Sequence, residues 1–204
     1  MFDASVLRLV AITDDLRDGR DGLVARAAAA VRGGATMVQL RLKDADGRTL
    51  VEVGRALVGA LAVPVLVNDR ADVALACGAA GVHLGADDLP VDVVRRIVPA
   101  GFVIGASFGG DAELATAAGA DYVGVGPVFG TTSKVDAGDA IGVDGLSRYV
   151  AMAGVPAVAI GGIAPGNARQ AIAAGAAGVA VIRSLFGAPD PERAARDLRS
   201  AIET

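Results

Sequence analysis

The sequence has little of what several protein classes depend on. Its 204 residues include one cysteine, one histidine and no tryptophan, and aromatic residues make up 3%. A lone cysteine, Cys77, excludes an internal disulfide and favours a reducing, cytoplasmic compartment, where we expect it to be structural. A lone histidine, His83, excludes a metal site built from several histidines. The net charge of -4 and the scarcity of aromatics argue against a nucleic-acid partner.

Long apolar runs are missing as well. Hydrophobic residues make up 53% of the chain, but no uninterrupted stretch reaches the ~18 residues that a membrane span needs. We therefore expect no membrane partner. Asp3 and Arg8 lie close to Met1 without a charged-then-apolar leader, so we expect no signal peptide. The length predicts one domain over residues 1–204, at the small end for the fold inferred below.

A repeat is the strongest positive feature of the sequence. A Gly-Ala pair followed by a short apolar run begins at Gly34, Gly78, Gly119 and Gly175. Each interval has room for two strand-helix units, and one further apolar run lies before each pair. These four additional strand candidates are Leu7–Ile12, Val65–Val67, Phe102–Ile104 and Ala157–Ile160.

Ala-rich stretches with helical spacing separate the strand candidates. Examples are Leu23–Val31, Ala112–Ala118 and Ala168–Ala174. Eight alternating units predict a compact α/β fold, a single parallel (βα)8 TIM barrel. An open doubly wound sheet is the alternative, and the even repeat up to the last unit argues against it.

The active site of such a barrel lies where its strands end, so the residues at those ends carry the functional information. The second strand runs into Gln39–Lys43. Alternation places Gln39, Arg41 and Lys43 on the inward face, with Leu40 and Leu42 toward the helices. Two inward cations need a counter-charge, which predicts a bound anion.

Carboxylates follow the next two strands. Asp69 comes directly after the third strand, and Asp88 comes shortly after the fourth. Their shared rim and oxygen ligands predict a Mg²⁺ site that a substrate phosphate completes. Alternatively, Asp69 caps the helix containing Ala71 to Ala76, and Asp87 or Asp88 caps the helix that begins near Pro90.

We expect neither His83 nor Ser107 to act as a catalytic base or nucleophile. His83 lies inside an apolar strand, which favours a core histidine with satisfied hydrogen bonds over a catalytic one. Ser107 ends the fifth strand and has no acid or histidine close behind it, so we interpret it as a hydrogen-bonding contact rather than a nucleophile.

The long loop after the sixth strand contains Thr131, Thr132, Ser133 and Lys134. Hydroxyl groups beside a lysine predict a phosphate grip on a mobile lid, with a polar surface loop as the alternative.

The ends of the seventh and eighth strands, with Gly161-Gly162 and Ile182-Arg183, predict a second phosphate site, although the glycines could simply form a tight turn. Two phosphate zones indicate two phosphorylated substrates. Without a strong general base, the reaction would be driven by departure of a leaving group.

Several of these segments, in this order, resemble the thiamine phosphate synthase family. The matching segments are Gln39–Lys43, Val67–Arg70, Gly81–Gly85 with Asp88, Gly124–Phe129 with Thr131, Ser133 and Lys134, and Ala159–Ile163. The resemblance extends from the first strand to the last helix.

The resemblance implies a transferase with two substrates. It would join 4-amino-2-methyl-5-hydroxymethylpyrimidine diphosphate to 4-methyl-5-(2-hydroxyethyl)thiazole phosphate, through a pyrimidine-stabilised carbocation, and release diphosphate with the help of Mg²⁺. Whether the chain forms a homo-oligomer stays open. By the same resemblance, Asp69 and Asp88 would hold the metal, and Arg41, Lys43, Lys134 and Ser107 would act in catalysis. Substrate contacts would come from Gln39, Leu40, Arg41, Leu42, Lys43, Asn68, Ser107, Thr131, Thr132, Ser133, Lys134, Gly162, Ile182 and Arg183.

Some positions depart from the family pattern, namely Ala86, Phe108–Gly110, Gly130, Ser133, Val135 and Arg183. The departure at Arg183 puts the identity of the thiazole substrate in question. A related thiazole tautomerase is one alternative, but it typically lacks the two aspartates and has a histidine just after the serine of the fifth strand. A phosphate-ligand sensor without turnover is the other alternative.

Overall fold

The computed structural model describes residues 2–109, 117–130 and 139–203. A short 3-10 turn, Ala4–Leu7, precedes the first strand. The eight strands are β1 Leu9–Ile12, β2 Met37–Leu40, β3 Val65–Asn68, β4 Gly81–Leu84, β5 Val103–Phe108, β6 Tyr122–Val125, β7 Ala157–Ile160 and β8 Gly178–Val181. The helices in the described ranges are α1 Gly19–Arg32, α2 Gly47–Ala60, α3 Ala71–Cys77, α4 Val91–Ile97, α5 Gly142–Ala153, α6 Ala168–Ala173, α7 Arg183–Phe186 and α8 Pro191–Glu203.

The strands form a closed parallel barrel in sequence order. β8 pairs with β1, with Leu9 opposite Val179, and this pairing leaves no open edge. The predicted (βα)8 barrel is therefore confirmed, and the open doubly wound sheet is wrong. The first strand starts two residues later than predicted because Leu7 ends the 3-10 turn. Most of the predicted helix Ala112–Ala118 lies outside the described residues.

Side chains alternate strictly between two cores, as a strand's period of two requires. Leu9, Val38 and Leu40 are fully buried in the layer between the barrel and its helices. Val10 and Leu66 belong to a second, smaller cluster inside the barrel. The interior is thus filled with side chains toward the amino-terminal ends of the strands, and polar residues occupy the opposite ends.

Cys77 is the last residue of α3 and is buried. A Cβ on Gly54 would lie 2.7 Å from its Sγ, so the thiol packs tightly against α2. Burial also raises the pKa of this thiol, which lowers its reactivity. The structural role predicted for Cys77 agrees with these contacts. Among the helices described, none is long and apolar enough to cross a membrane.

Candidate active site

A cavity of about 880 Å³ opens at the carboxyl ends of the strands. Most of the predicted site residues that the structure describes line it, and these are Gln39, Arg41, Lys43, Asn68, Asp69, Asp88, Ser107, Gly162, Ile182 and Arg183. Leu40 and Leu42 are the exceptions, since both side chains lie in the helix-facing core. Only their backbone groups could face a ligand. Thr131, Thr132, Ser133 and Lys134 lie outside the described residues.

The two predicted metal ligands meet at one side of this cavity. Asp69 has a φ of 66°, in the left-handed region, and its N–H donates to the carbonyl oxygen of His83 at 2.8 Å. Asp88 accepts a hydrogen bond of 2.6 Å from the N–H of Gly85. Neither aspartate caps a helix, since Arg70 and Pro90 occupy the N-cap positions of α3 and α4 without a side-chain cap bond. The capping alternative is therefore wrong for both residues.

The two carboxyl groups are close enough to influence each other's charge. Partial loss of surrounding water, followed by the neighbouring Asp88, raises the pKa of Asp69 from 3.8 to about 6, against the opposing effects of Arg41 and Asn68. A divalent cation between the two groups would relieve their repulsion. The described residues include no cluster of three or more His, Cys, Asp or Glu side chains that could hold a metal. A carboxylate pair suits Mg²⁺, which takes its other ligands from water and substrate phosphates.

The raised pKa of Asp69 predicts a pH-dependent stability effect. Between about pH 4 and pH 6, the folded protein keeps a proton on Asp69 that the unfolded chain releases, so the free energy of unfolding falls as pH rises. Asp69→Asn has no proton to lose and suits the left-handed backbone. At pH 7.5 we expect Asp69→Asn to raise the free energy of unfolding by about 0.5–1 kcal/mol, or Tm by about 1–4 °C. The increase is small because the carboxyl group is open to the cavity and water screens its charge.

Scanning calorimetry in a chelating buffer measures this effect. The gain should vanish near pH 4, where both proteins are neutral at this position. Asp87→Asn provides the matched control, because Asp87 lines the same cavity and does not contribute to the pKa shift of Asp69. A variant Asp69→Asn that is less stable than the parent at pH 7.5 would show that the carboxylate is not strained in the metal-free protein.

Arg41 supplies positive charge near Asp69, and Lys43 lines the same cavity. Burial lowers the pKa of Arg41, and Asp69 acts in the opposite direction. Within the described part of the chain, neither Arg41 nor Lys43 forms an ion pair. A half-buried guanidinium without a paired acid favours an anionic ligand. This geometry supports the predicted anion zone.

The backbone of Arg41 is held by a buried threonine. The N–H of Arg41 donates to Oγ1 of Thr13 at 2.8 Å, and that hydroxyl donates to the carbonyl oxygen of Arg41 at 3.1 Å. Nearby, Nε2 of Gln39 donates to Oδ1 of Asn68 at 2.7 Å, which orients both amides. Thr13 was not among the predicted residues, because it follows β1 without a charged or paired neighbour that marks it.

The double glycine after β7 has a clear steric cause. Gly161 and Gly162 have φ values of 95° and 64°. A Cβ on Gly161 would lie 2.6 Å from Cα of Pro127, and one on Gly162 would lie 2.6 Å from the carbonyl oxygen of Gly130. The tight-turn interpretation therefore explains the glycines, and the close approach of the loop after β6 makes them necessary. The same turn leaves the backbone at the cavity wall.

Arg183 is the first residue of α7 and is exposed at the cavity. Beside it, Oγ of Ser184 donates to the carbonyl oxygen of Ile163 at 2.5 Å, tying the end of β8 to the turn after β7. The first N–H groups of a helix have no intrahelical partner, and they lie next to the Arg183 side chain. Gly162, Ile182 and Arg183 therefore line the cavity at the ends of β7 and β8, and the second anion zone there stays a prediction.

Sequence reasoning missed a polar group in the barrel interior. His83 lines the cavity, with Nε2 3.3 Å from Oγ of Ser107 and Nδ1 3.1 Å from the hydroxyl of Tyr122. No histidine follows Ser107 closely in the sequence, but the folded chain places His83 beside it, so the expectation that Ser107 has no neighbouring histidine is wrong. His83 is hydrogen-bonded through both ring nitrogens, as expected for a core histidine, yet it also faces the site. The alternation of side chains along each strand could have indicated this group, since His83, Ser107 and Tyr122 all occupy inward positions of β4, β5 and β6.

These features define a class of protein. A closed parallel barrel whose strand ends bring a carboxylate pair, two cations and a double glycine to one cavity is typical of an enzyme that acts on phosphorylated substrates. The family model for thiamine monophosphate synthase matches residues 9–185 of this chain. The chain therefore belongs to the thiamine monophosphate synthase family, and it is a transferase of thiamine biosynthesis.

Individual relatives agree with this assignment. The chain is 47% identical to the thiamine-phosphate synthase of Roseiflexus sp. (strain RS-1), over 94% of this chain and 83% of the relative. It is also 47% identical to the thiamine-phosphate synthase of Xanthobacter autotrophicus, over 96% of this chain and 95% of that relative. Among solved structures, the thiamine phosphate pyrophosphorylase of Pyrococcus furiosus matches with a TM-score of 0.87 and 39% identity, over 98% of this chain and 97% of that chain. A 3-hexulose-6-phosphate synthase with a TM-score of 0.70 and 20% identity shares the fold alone.

Proposed function

We propose that this transferase joins the pyrimidine diphosphate and the thiazole phosphate by letting diphosphate leave first. The observation that carries the proposal is that Asp69 and Asp88 lie close together with Arg41 near Asp69, in a cavity that Lys43 also lines. Two carboxylates beside two cations suit a metal-bound polyanion better than either charge set alone. The single buried cysteine also supports a cytoplasmic location.

Asp69 and Asp88 would hold Mg²⁺, and their oxygen donors fit that ion. When bound, Mg²⁺ neutralises charge on the diphosphate and makes it a better leaving group. The protein's own cations act on the same group. Arg41 offers a planar donor fork to the phosphate oxygens, and Lys43 offers a point charge at the rim. Lys134 is proposed as a further cation from the loop after β6.

Gln39 and Ser107 are proposed to contact the pyrimidine diphosphate substrate, Gln39 at its ring. Because Nε2 of Gln39 donates to Asn68, its carbonyl oxygen is the part of the amide left to accept a bond from the pyrimidine amino group. Gln39 is only 4% exposed, so its orientation is fixed before the substrate arrives. This preorganisation lowers the cost of placing the reacting carbon correctly.

The thiazole phosphate would occupy the zone after β7 and β8. Gly162, Ile182 and Arg183 line that wall of the cavity, and Thr131, Thr132 and Ser133 are proposed to close over the phosphate. With both substrates held, the thiazole nitrogen attacks the pyrimidine carbocation left by the departing diphosphate. The protein contributes position and charge compensation, so a strong general base is not required.

An assay of both products tests this proposal. The protein is incubated with the two substrates and Mg²⁺, and thiamine phosphate and diphosphate are quantified together. We expect equimolar formation of both products, and loss of both in a chelating buffer. Failure to form thiamine phosphate from the two substrates would refute the synthase activity.

Two additional arms cover the alternatives. Since His83 contacts Ser107 from β4, a thiazole carboxylate is also incubated alone and its isomerisation is followed. Isomerisation without pyrimidine diphosphate would support a tautomerase. Binding of thiazole phosphate without any turnover would support a sensor.

A further inference from the structure

We propose that Tyr122 and His83 form a fixed relay that orients the Ser107 hydroxyl as a hydrogen-bond donor to the phosphorylated substrate. Ser107 would be the catalytic residue of this group, and Tyr122 and His83 would be positioning residues. The kinetic part of the inference rests on the proposed function, whereas its geometric part does not.

The barrel register brings the three side chains together. His83 pairs with Gly105 across β4 and β5, and Gly105 pairs with Tyr122 across β5 and β6. Ser107 lies two positions beyond Gly105 on the same inward face. Space for the group comes from glycine, since a Cβ on Gly105 would lie 2.3 Å from Cζ of Tyr122. On β6, a Cβ on Gly124 would lie 3.1 Å from Cε1 of the histidine ring.

The direction of the first hydrogen bond follows from burial. Tyr122 is 2% exposed, and loss of water raises the pKa of its hydroxyl, so the group keeps its proton. Among the described residues, His83 is the hydrogen-bond partner of this hydroxyl, at 3.1 Å. A buried O–H without an acceptor is costly. The hydroxyl of Tyr122 therefore donates to Nδ1 of His83.

The second hydrogen bond then follows from the chemistry of imidazole. A neutral ring that accepts at Nδ1 carries its proton on Nε2. That N–H points at Oγ of Ser107, 3.3 Å away, and makes the oxygen an acceptor. The proton of the Ser107 hydroxyl is thereby directed away from His83, and Ser107 lines the cavity.

This polarity is the reverse of a serine nucleophile with its base. In that arrangement the histidine accepts the serine proton, whereas here it donates to the serine oxygen. A hydroxyl polarised in this way suits an oxygen of the diphosphate that gains negative charge as it leaves. Ser107 therefore acts without forming a covalent bond, and no proton is transferred along the relay.

A double-mutant cycle tests the dependence on Ser107. Ser107→Ala should lower kcat by about 10- to 100-fold, as expected for a hydrogen bond to a charged oxygen. Tyr122→Phe should lower kcat by about 3- to 10-fold in the parent, with little change in KM. In the Ser107→Ala background, the same tyrosine change should have less than about a twofold effect. An equal fold loss in both backgrounds would show that Tyr122 acts only through packing and would overturn the relay.

A matched pair of histidine variants adds a second kinetic readout. The terminal amide of glutamine reaches the position of the imidazole Nε2, whereas that of asparagine reaches only the position of Nδ1. His83→Gln should therefore retain the donor to Ser107 and keep about 5-fold more kcat than His83→Asn. Equal loss in the two variants would contradict a donor role for His83.

Nuclear magnetic resonance tests the geometry on the unaltered protein. Since the chain has one histidine, ¹⁵N-histidine labelling yields a single pair of ring nitrogens. At alkaline pH we expect Nδ1 without a proton and Nε2 with one, and we expect Tyr122→Phe to shift the Nδ1 resonance because that nitrogen loses its hydrogen bond. A proton on Nδ1, or on both nitrogens, would overturn the relay.

The two readouts separate the inference from the function on which it rests. A parent protein that makes no thiamine phosphate would refute the proposed function, and the nitrogen spectrum would still decide the geometry. An active parent whose turnover is unchanged by Tyr122→Phe would refute the relay alone.

Discussion

Asp69→Asn is expected to lower kcat/KM for thiamine phosphate formation by more than about a hundredfold, because residues that only support metal ligands already account for about 10–100-fold. The change removes one charge from the carboxylate pair and keeps the shape and left-handed backbone of the position. Asp88→Asn should have an effect of the same order. Initial rates at several Mg²⁺ concentrations provide the measurement, and excess Mg²⁺ should restore activity only in part.

Asp87→Asn is the control for this prediction. Asp87 lines the same cavity and has the same charge, yet it does not contribute to the raised pKa of Asp69. Its substitution should change kcat/KM by less than about threefold, as expected for a rim charge screened by water. Comparable losses in Asp87→Asn and Asp69→Asn would mean that the rim needs only net negative charge, without a defined metal pair.

Arg41→Met is expected to lower kcat/KM by about a hundredfold or more, because it removes charge-assisted bonds worth about 1.5–3 kcal/mol each. The methionine keeps much of the apolar stem that packs in the half-buried site. The kcat/KM of Arg41→Lys should lie between those of the parent and Arg41→Met, because lysine keeps the charge and loses the planar fork of donors. Diphosphate inhibition should weaken in parallel in both variants.

Arg196→Met is the matched control for the arginine. Arg196 lies on the exposed surface of α8 and pairs with Glu192 at 3.0 Å. Its loss should leave kcat/KM unchanged within about twofold, because exposed ion pairs contribute little. If Arg41→Met behaves like this control, the diphosphate does not depend on the cation zone described above.

The fold and the charged rim could be predicted because both depend on local spacing. The repeat marks alternate strands, and the parallel barrel then brings every strand end to one face. Asp69, Asp88 and Arg41 each follow a strand directly or closely, so their meeting required no knowledge of register. Only the exclusion of the helix-cap alternative needed the structure, because the cap positions of α3 and α4 belong to Arg70 and Pro90.

The interior relay could not be predicted in the same way. Ser107 and Tyr122 are separated from His83 by 24 and 39 residues, and their contacts depend on how β4, β5 and β6 align. A shift of one residue would turn any of them toward the helices. Inward parity was visible in the sequence, but the register and the space left by Gly105 were not. Predictions for Thr131 to Lys134 fall outside the described residues and stay predictions.

The central claim is that Asp69 and Asp88, with Arg41 and Lys43, hold a single metal-diphosphate unit. Isothermal titration of diphosphate with and without Mg²⁺ tests this claim most directly, with Asp69→Asn measured alongside to account for the complex that forms in solution. We predict that Mg²⁺ tightens diphosphate binding to the parent by at least about tenfold, or about 1.4 kcal/mol, and leaves the variant unchanged. Equal tightening in both proteins, or none in the parent, would contradict the claim.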